Sequence, residues 1–114
     1  MIQTSAEITQ MTKYHLKKRI DIVVEAPLTR TVAQLLDEVE VPGYSVLPIL
    51  EGRGIVNAWT SEGQLSNTAN MVAIFCIVDA SQADAVIETV LDRIRDRIGF
   101  VTIADVFVVR TERF

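Results

Sequence analysis

From Lys17 to Ala26 the chain reads "KKRIDIVVEA", and Ile20, Ile22 and Val24 alternate with other residues. A period of two predicts a strand. "PLTRTVAQLLDEVEVPG" changes the period. Val32, Leu35, Leu36 and Val39 make one apolar stripe at helical spacing. Thr29 or Thr31 can cap this helix, and Thr31 with Gln34 matches a capping box. Pro42-Gly43 is the expected stop. "YSVLPILEG" predicts a second strand, with Pro48 at an edge or a bulge because it has no N–H to donate. "NMVAIFCIVD" is the strongest strand. Ser81 is the expected cap of a second helix, whose stripe is Ala83, Val86, Ile87, Val90, Leu91, Ile94 and Ile98, with Gly99 as its C-terminal cap. "FVTIADVFVVRTERF" predicts a fourth strand.

The order is strand–helix–strand, long loop, strand–helix–strand. This predicts an α+β fold: a ferredoxin-like βαββαβ sandwich, a four-stranded antiparallel sheet with both helices on one face. Residues 1–16 are weakly periodic and read as an N-terminal arm; residues 17–114 form one domain. The loop over about 51–69 shows neither strand nor helix periodicity. Loops this long are functional or disordered.

In the third strand, Met71, Ala73, Phe75 and Ile77 point one way and Val72, Ile74, Cys76 and Val78 the other. A half-covered sheet needs only one apolar face. The second face predicts burial against other subunits.

Composition narrows the function. The net charge is −4 with no long basic run, which argues against nucleic-acid binding. Lys17-Lys18-Arg19 reads as a solvated strand end. The single cysteine, Cys76, lies in an apolar run and reads as a small buried residue, which fits a reducing compartment. The N-terminal stretch lacks the apolar core of a signal peptide, and no window reaches a membrane span. A soluble, cytoplasmic protein is expected.

Catalytic chemistry finds little support. His15, the only histidine, has no Cys, Asp or Glu at ligand spacing, so no metal site is expected. No Ser–His or Cys–His pair suggests a nucleophile. Asp79 and Ser81 are explained by capping. Asp92, Arg93, Arg95, Asp96 and Arg97 read as the solvated side of the second helix. Two places remain. In Glu51-Gly52-Arg53-Gly54 the glycines let backbone N–H groups approach an anion, or simply turn the chain. Arg110 and Arg113 end the last strand, and Arg suits phosphate, although strand-end arginines are usually just solvated.

"VPGYSVLPILEGRG" entering the loop, "SNTANMVAIFC" leaving it and "RDRIGFVTIADVFVVRTE" near the end resemble the PII signalling superfamily from about Arg19 to Glu112. The exit "SNTANM" and the short link "RDRIGF" look closest to the PII-like branch linked to bicarbonate uptake and carboxysomes. The resemblance implies a homotrimer with adenine nucleotides in clefts between subunits. It also implies a T-loop, here about 51–69, that changes order with the ligand and meets a partner, a membrane transporter or an enzyme. By position, Ser45 matches the small hydroxyl residue near the base, and Gly52 and Gly54 match the glycines of the T-loop base, with Arg53 between them. Gly99 and Phe100 replace the B-loop. Arg110 matches the phosphate-facing arginine, with Arg113 a second candidate.

The chain departs from the pattern at Ile55 and Val56, where a polar or basic residue is usual. Its shortened B-loop lacks a family lysine. Gly43 to Gly54 is one residue longer than usual, which suggests a bulge at Pro48. These changes favour AMP, ADP or cyclic AMP over ATP, with bicarbonate as a further candidate. No tyrosine in the loop offers a modification site. Trp59 is either the anchor for a partner or packed on the loop's own base. Three rival readings are a ferredoxin-like monooxygenase or isomerase, a copper-tolerance-type trimer, and a purely structural trimer. The first needs a polar cavity under the sheet, against which the third strand's apolar faces argue; the second has a shorter loop.

Overall fold

The structure, a computed structural model, describes residues 13–53, 58–60 and 70–109, the side chains of Arg53 and of residues 58–60 excepted. The elements are β1 (His15–Glu25), α1 (Thr29–Glu38), β2 (Tyr44–Ile49), β3 (Glu51–Arg53), β4 (Ala58–Thr60), β5 (Met71–Val78), α2 (Ala80–Ile94) and β6 (Gly99–Val108). The main sheet has the order β2-β5-β1-β6, and every neighbouring pair is antiparallel. With both helices on one face this is the ferredoxin-like sandwich that the periodicities predict.

Alternation decides which side of each strand enters the core. Ile20, Ile22 and Val24 of β1 pair with Cys76, Ile74 and Val72 of β5. They pack under Val32 and Leu36 of α1 and Val86, Val90 and Ile94 of α2. Met71, Ala73, Phe75 and Ile77 take the opposite face, as their positions in the sequence require. Pro48 sits in edge strand β2 opposite Val72. The register there is unbroken, so the expected bulge is absent; at a sheet edge a missing N–H leaves no partner unsatisfied.

The element ends differ from expectation. β1 takes in His15 and Leu16, which the sequence places in the arm. Ala26–Leu28 form one 3-10 turn, and α1 starts directly after it without a side-chain cap. Thr29 instead donates its hydroxyl to the Ala26 carbonyl at 2.7 Å, and the Thr31–Gln34 box falls inside the helix. The helix stops before Pro42. Glu40 adopts φ 57°, its N–H donates to Asp37 O at 3.1 Å, and Val41 N–H donates to Leu36 O at 3.2 Å. This is a Schellman ending with glutamate at the position glycine usually takes.

α2 begins at Ala80, so Ser81 lies within its first turn. Asp79 occupies the N-cap but makes no capping bond, because its carboxylate pairs with Lys17 of β1. α2 ends at Ile94, Ile98 is exposed, and Gly99 is the first residue of β6 rather than a helix cap. The reason is spatial. A Cβ on Gly99 would stand 2.5 Å from the Val23 carbonyl oxygen. Gly99 is needed where β6 meets β1.

The long loop is not without strand. β3 and β4 form an antiparallel pair at its base, with Gly52 opposite Trp59.

Candidate functional site

One end of the sheet gathers the ends of several elements. Ile49 of β2 pairs with Met71, Met71 with Glu25, and Val24 with Gly99. The β3–β4 pair, the start of β5 and the link into β6 all leave from this end. Ala26 N–H donates to the Asn70 carbonyl at 2.9 Å, tying the exit of the long loop to the end of β1.

Glu25 organises this end, and its role is invisible in the sequence. The residue is only 7% exposed. Its Oε1 accepts from Ile98 N–H at 3.4 Å and lies 3.9 Å from Arg97 Nε. A carboxylate loses hydration here and regains polar contacts from the α2–β6 link. Arg97, read from the sequence as part of the helix's solvated side, lies past the end of α2 and faces this buried acid. Just past the end of α2, Arg95 reaches back toward Asp92, 3.3 Å away, as helical spacing allows.

At the other end of β2, Ser45 pairs with Phe75 and lines a cleft of about 290 Å³ with Gly43, Tyr44, Phe75 and Ile77. Ligand sites span about 300–1,000 Å³. This cleft suits one flat ring better than a whole nucleotide.

Among the described residues, the sequence-predicted ones therefore do not converge within one chain. Ser45 lies at one edge, level with Phe75, Asp21 and Thr102. Gly99 and Phe100 open β6 at the opposite edge, three strand spacings or roughly 14 Å away. Gly52 lies in β3, past the end of β2, and Arg53 follows it in the backbone pairing. Trp59 is placed by its backbone in β4. Gly54, Arg110 and Arg113 lie outside the described residues.

Arg19 also departs from its expected role. It is not merely a solvated strand end. Its Nε donates to Asp21 Oδ2 at 3.0 Å and its Nη2 to Asp21 Oδ1 at 3.0 Å. Its Cζ stands 4.1 Å from the centre of the Phe75 ring. The hydrogen bond to Asp21 raises the guanidinium pKa, against the effect of burial. Alternation placed both charges on one face, but only the paired register brings Phe75 beneath them. Cys76 faces the core, and burial, then the Asp21 charge, pushes its thiol up to about 11.

Among the described residues, no group of three or more His, Cys, Asp or Glu side chains is placed to hold a metal. No described helix is long and apolar enough to cross a membrane.

Residues 17–113 match the family model described as nitrogen regulatory protein P-II. Comparison with curated proteins gave no match. Among solved structures the chain is similar to CPII, a nitrogen regulatory PII-like protein from Thiomonas intermedia, bound to ADP, AMP and bicarbonate. That likeness has a TM-score of 0.78 at 21% identity, covering 87% of this chain and 93% of that one. The same protein bound to ADP and bicarbonate gives 0.74 at 24% identity, covering 87% and 94%. Its apo form gives 0.69 at 20% identity, covering 86% and 97%.

Proposed function

The chain belongs to the nitrogen regulatory protein P-II family, and from that premise we propose that it is a sensor of an adenine nucleotide, AMP, ADP or cyclic AMP before ATP. The nucleotide binds in clefts between the subunits of a homotrimer. The observation that carries this reading is the division of the candidate residues. Ser45 lines a small cleft at one edge of the sheet, while Gly52, Gly99 and Phe100 lie toward the other end. A ligand that touches all of them needs more than one subunit. The CPII structures bound to ADP and AMP support an adenine nucleotide as the input.

In the trimer, Ser45 and its cleft take the base. Gly52, Arg53 and Gly54 bring backbone N–H groups and one guanidinium to the phosphate side. Arg110 and Arg113 add charge there, and Gly99 and Phe100 close the cleft where a longer B-loop stands in relatives. Bicarbonate is the second ligand, a reading that the bicarbonate-bound CPII structures support. The loop over 51–69 is the output. Its β3–β4 pair starts two positions after β2 ends, with only Leu50 between, so a ligand at Gly52 acts directly on the loop base. Trp59 anchors the partner, an inorganic-carbon transporter or a carboxysome-related protein. The protein regulates and does not catalyse, and it acts in the cytoplasm; the domain begins with β1 at His15 rather than at residue 17.

Thermal unfolding with ATP, ADP, AMP, cyclic AMP and no nucleotide, each with and without bicarbonate, tests the input. A ligand that binds only the folded state raises the midpoint by mass action. A selective rise with one adenine nucleotide is expected, and Ser45→Trp, which fills the cleft at an exposed edge, abolishes it. A flat panel overturns the sensor reading. For the output, Trp59→Ala abolishes capture of the partner while the nucleotide shift persists; loss of that shift instead places Trp59 in the cleft.

A further inference from the structure

The face of the sheet away from the helices carries a run of apolar residues, with Ser45 and Thr102 on its outer strands and an ion pair at its middle. Ala73, Phe75 and Ile77 of β5 lie on it, flanked by Leu47 of β2 and by Phe100 and Ala104 of β6. Arg19 and Asp21 stand among them on the central strand. Arg19 pairs across the sheet with Ile77 and Ala104, and Asp21 with Phe75 and Thr102. An apolar face with an ion pair at its centre is an odd surface to leave in water. It is also a poor match for a charged partner, since the pair sums to zero and any single charge set against it repels one member.

The hydrogen-bond capacity of the pair identifies a better match. A guanidinium carries five N–H bonds. Two of Arg19's go to Asp21, and the remaining three have no acceptor among the described residues. The Asp21 carboxylate likewise keeps lone pairs beyond those Arg19 uses. The guanidinium is held on one side by Asp21 and from below by the Phe75 ring at 4.1 Å, so its free N–H bonds point in fixed directions. Each copy of the chain thus offers donors and acceptors side by side among the apolar residues of this face. A second copy can therefore supply both the acceptors that Arg19 lacks and donors for Asp21, in a two-fold or a head-to-tail contact.

We propose that the Arg19–Asp21 pair is the polar lock of the contact between copies of this chain: the free N–H bonds of Arg19 find their acceptor on the open face of a neighbouring copy, and only one register satisfies them. The proposal rests on the oligomer reading above and adds which residues select the partner and its register. An apolar face alone binds other apolar faces in several registers. A buried pair does not tolerate this, because removing one partner leaves an uncompensated charge, whereas replacing both by apolar residues is often neutral.

The test compares wild type, Arg19→Met, Asp21→Asn and the double variant Arg19→Met with Asp21→Leu, by light-scattering mass over a dilution series. Wild type is expected to be assembled, and each single variant to raise the dissociation constant on the order of 100-fold. The double variant returns to within about tenfold of wild type but does not co-assemble with tagged wild-type subunits. Arg19→Lys, which keeps the charge but not the forked geometry, falls between wild type and Arg19→Met. Circular dichroism at the same dilutions separates dissociation from unfolding. An assembled wild type whose folded single variants assemble equally well overturns the lock and leaves the oligomer intact. A wild type that is monomeric throughout overturns the oligomer reading, and the lock with it.

Discussion

The carboxylate of Glu25, the last residue of β1, accepts a hydrogen bond from the backbone N–H of Ile98, 73 positions away in the chain. The bond fixes the link between α2 and β6 to the sheet end from which the long loop departs. Glu25→Ala leaves this N–H and Arg97 without their acceptor. A loss of about 1–3 kcal/mol in urea unfolding is expected. Glu25→Gln keeps an acceptor oxygen and loses only the contact with half-exposed Arg97, so its cost stays below about 1 kcal/mol. Equal losses in the two variants would refute the hydrogen-bond account.

Gly99 makes a sharper case. A methyl group there meets the Val23 carbonyl oxygen at 2.5 Å, which is backbone and cannot swing aside. Gly99→Ala is expected to cost about 1–3 kcal/mol, as forced overpacking does. Gly43, with open space around its missing Cβ, serves as the control, and Gly43→Ala should change stability far less. Chemical denaturation of both variants checks the difference.

Glu40 holds a left-handed conformation that L-residues adopt at a cost of about 1–2 kcal/mol. Glycine pays none of that, but gives back part of the gain through its freer unfolded chain. Glu40→Gly should therefore stabilise the protein by about 0.5–1 kcal/mol, seen as a higher melting midpoint. A fall in the midpoint would show that the glutamate side chain makes a contact outweighing the strain.

Cys76 gives a pH dependence. Its thiol is pushed from the usual 9.0 up to about 11, first by burial and then by the Asp21 charge. Between these values the unfolded chain has lost the proton that the folded chain still holds. Folding stability contributed by this group is therefore complete below pH 9 and falls as pH rises toward 11. The slope of stability over that range should be shallower in Cys76→Ala than in wild type, which cancels the titration of other groups. Identical slopes would refute it. The folded protein should also resist thiol alkylation near neutral pH, where unfolded chain reacts.

Some of this was legible in the amino acids. Alternation at Ile20, Ile22 and Val24 and the helical stripe from Ala83 to Ile94 fixed the element types, because each periodicity is a local property of the backbone. Two apolar faces on the strand from Met71 to Val78 already pointed to an open face. Pro48 marked an edge or a bulge, since an interior strand cannot spare the donor, and the register shows the edge. The motifs over 41–54, 66–76 and 95–112 pointed to the family whose model matches residues 17–113.

What the sequence could not supply depends on contacts between positions far apart along it. Gly99 looks the same in a list of residues whether it caps a helix or passes beneath Val23; only the β1–β6 register decides. Asp79 is a capping residue by type, yet Lys17, distant in sequence, takes its carboxylate. Glu25 looks like a strand-end charge until α2 ends at Ile94 and the following link bends back over it. Local rules determined which elements this chain forms and which face of each is apolar. Tertiary structure decided which polar groups would be buried together, because burial and register are set by strands that meet across the sheet.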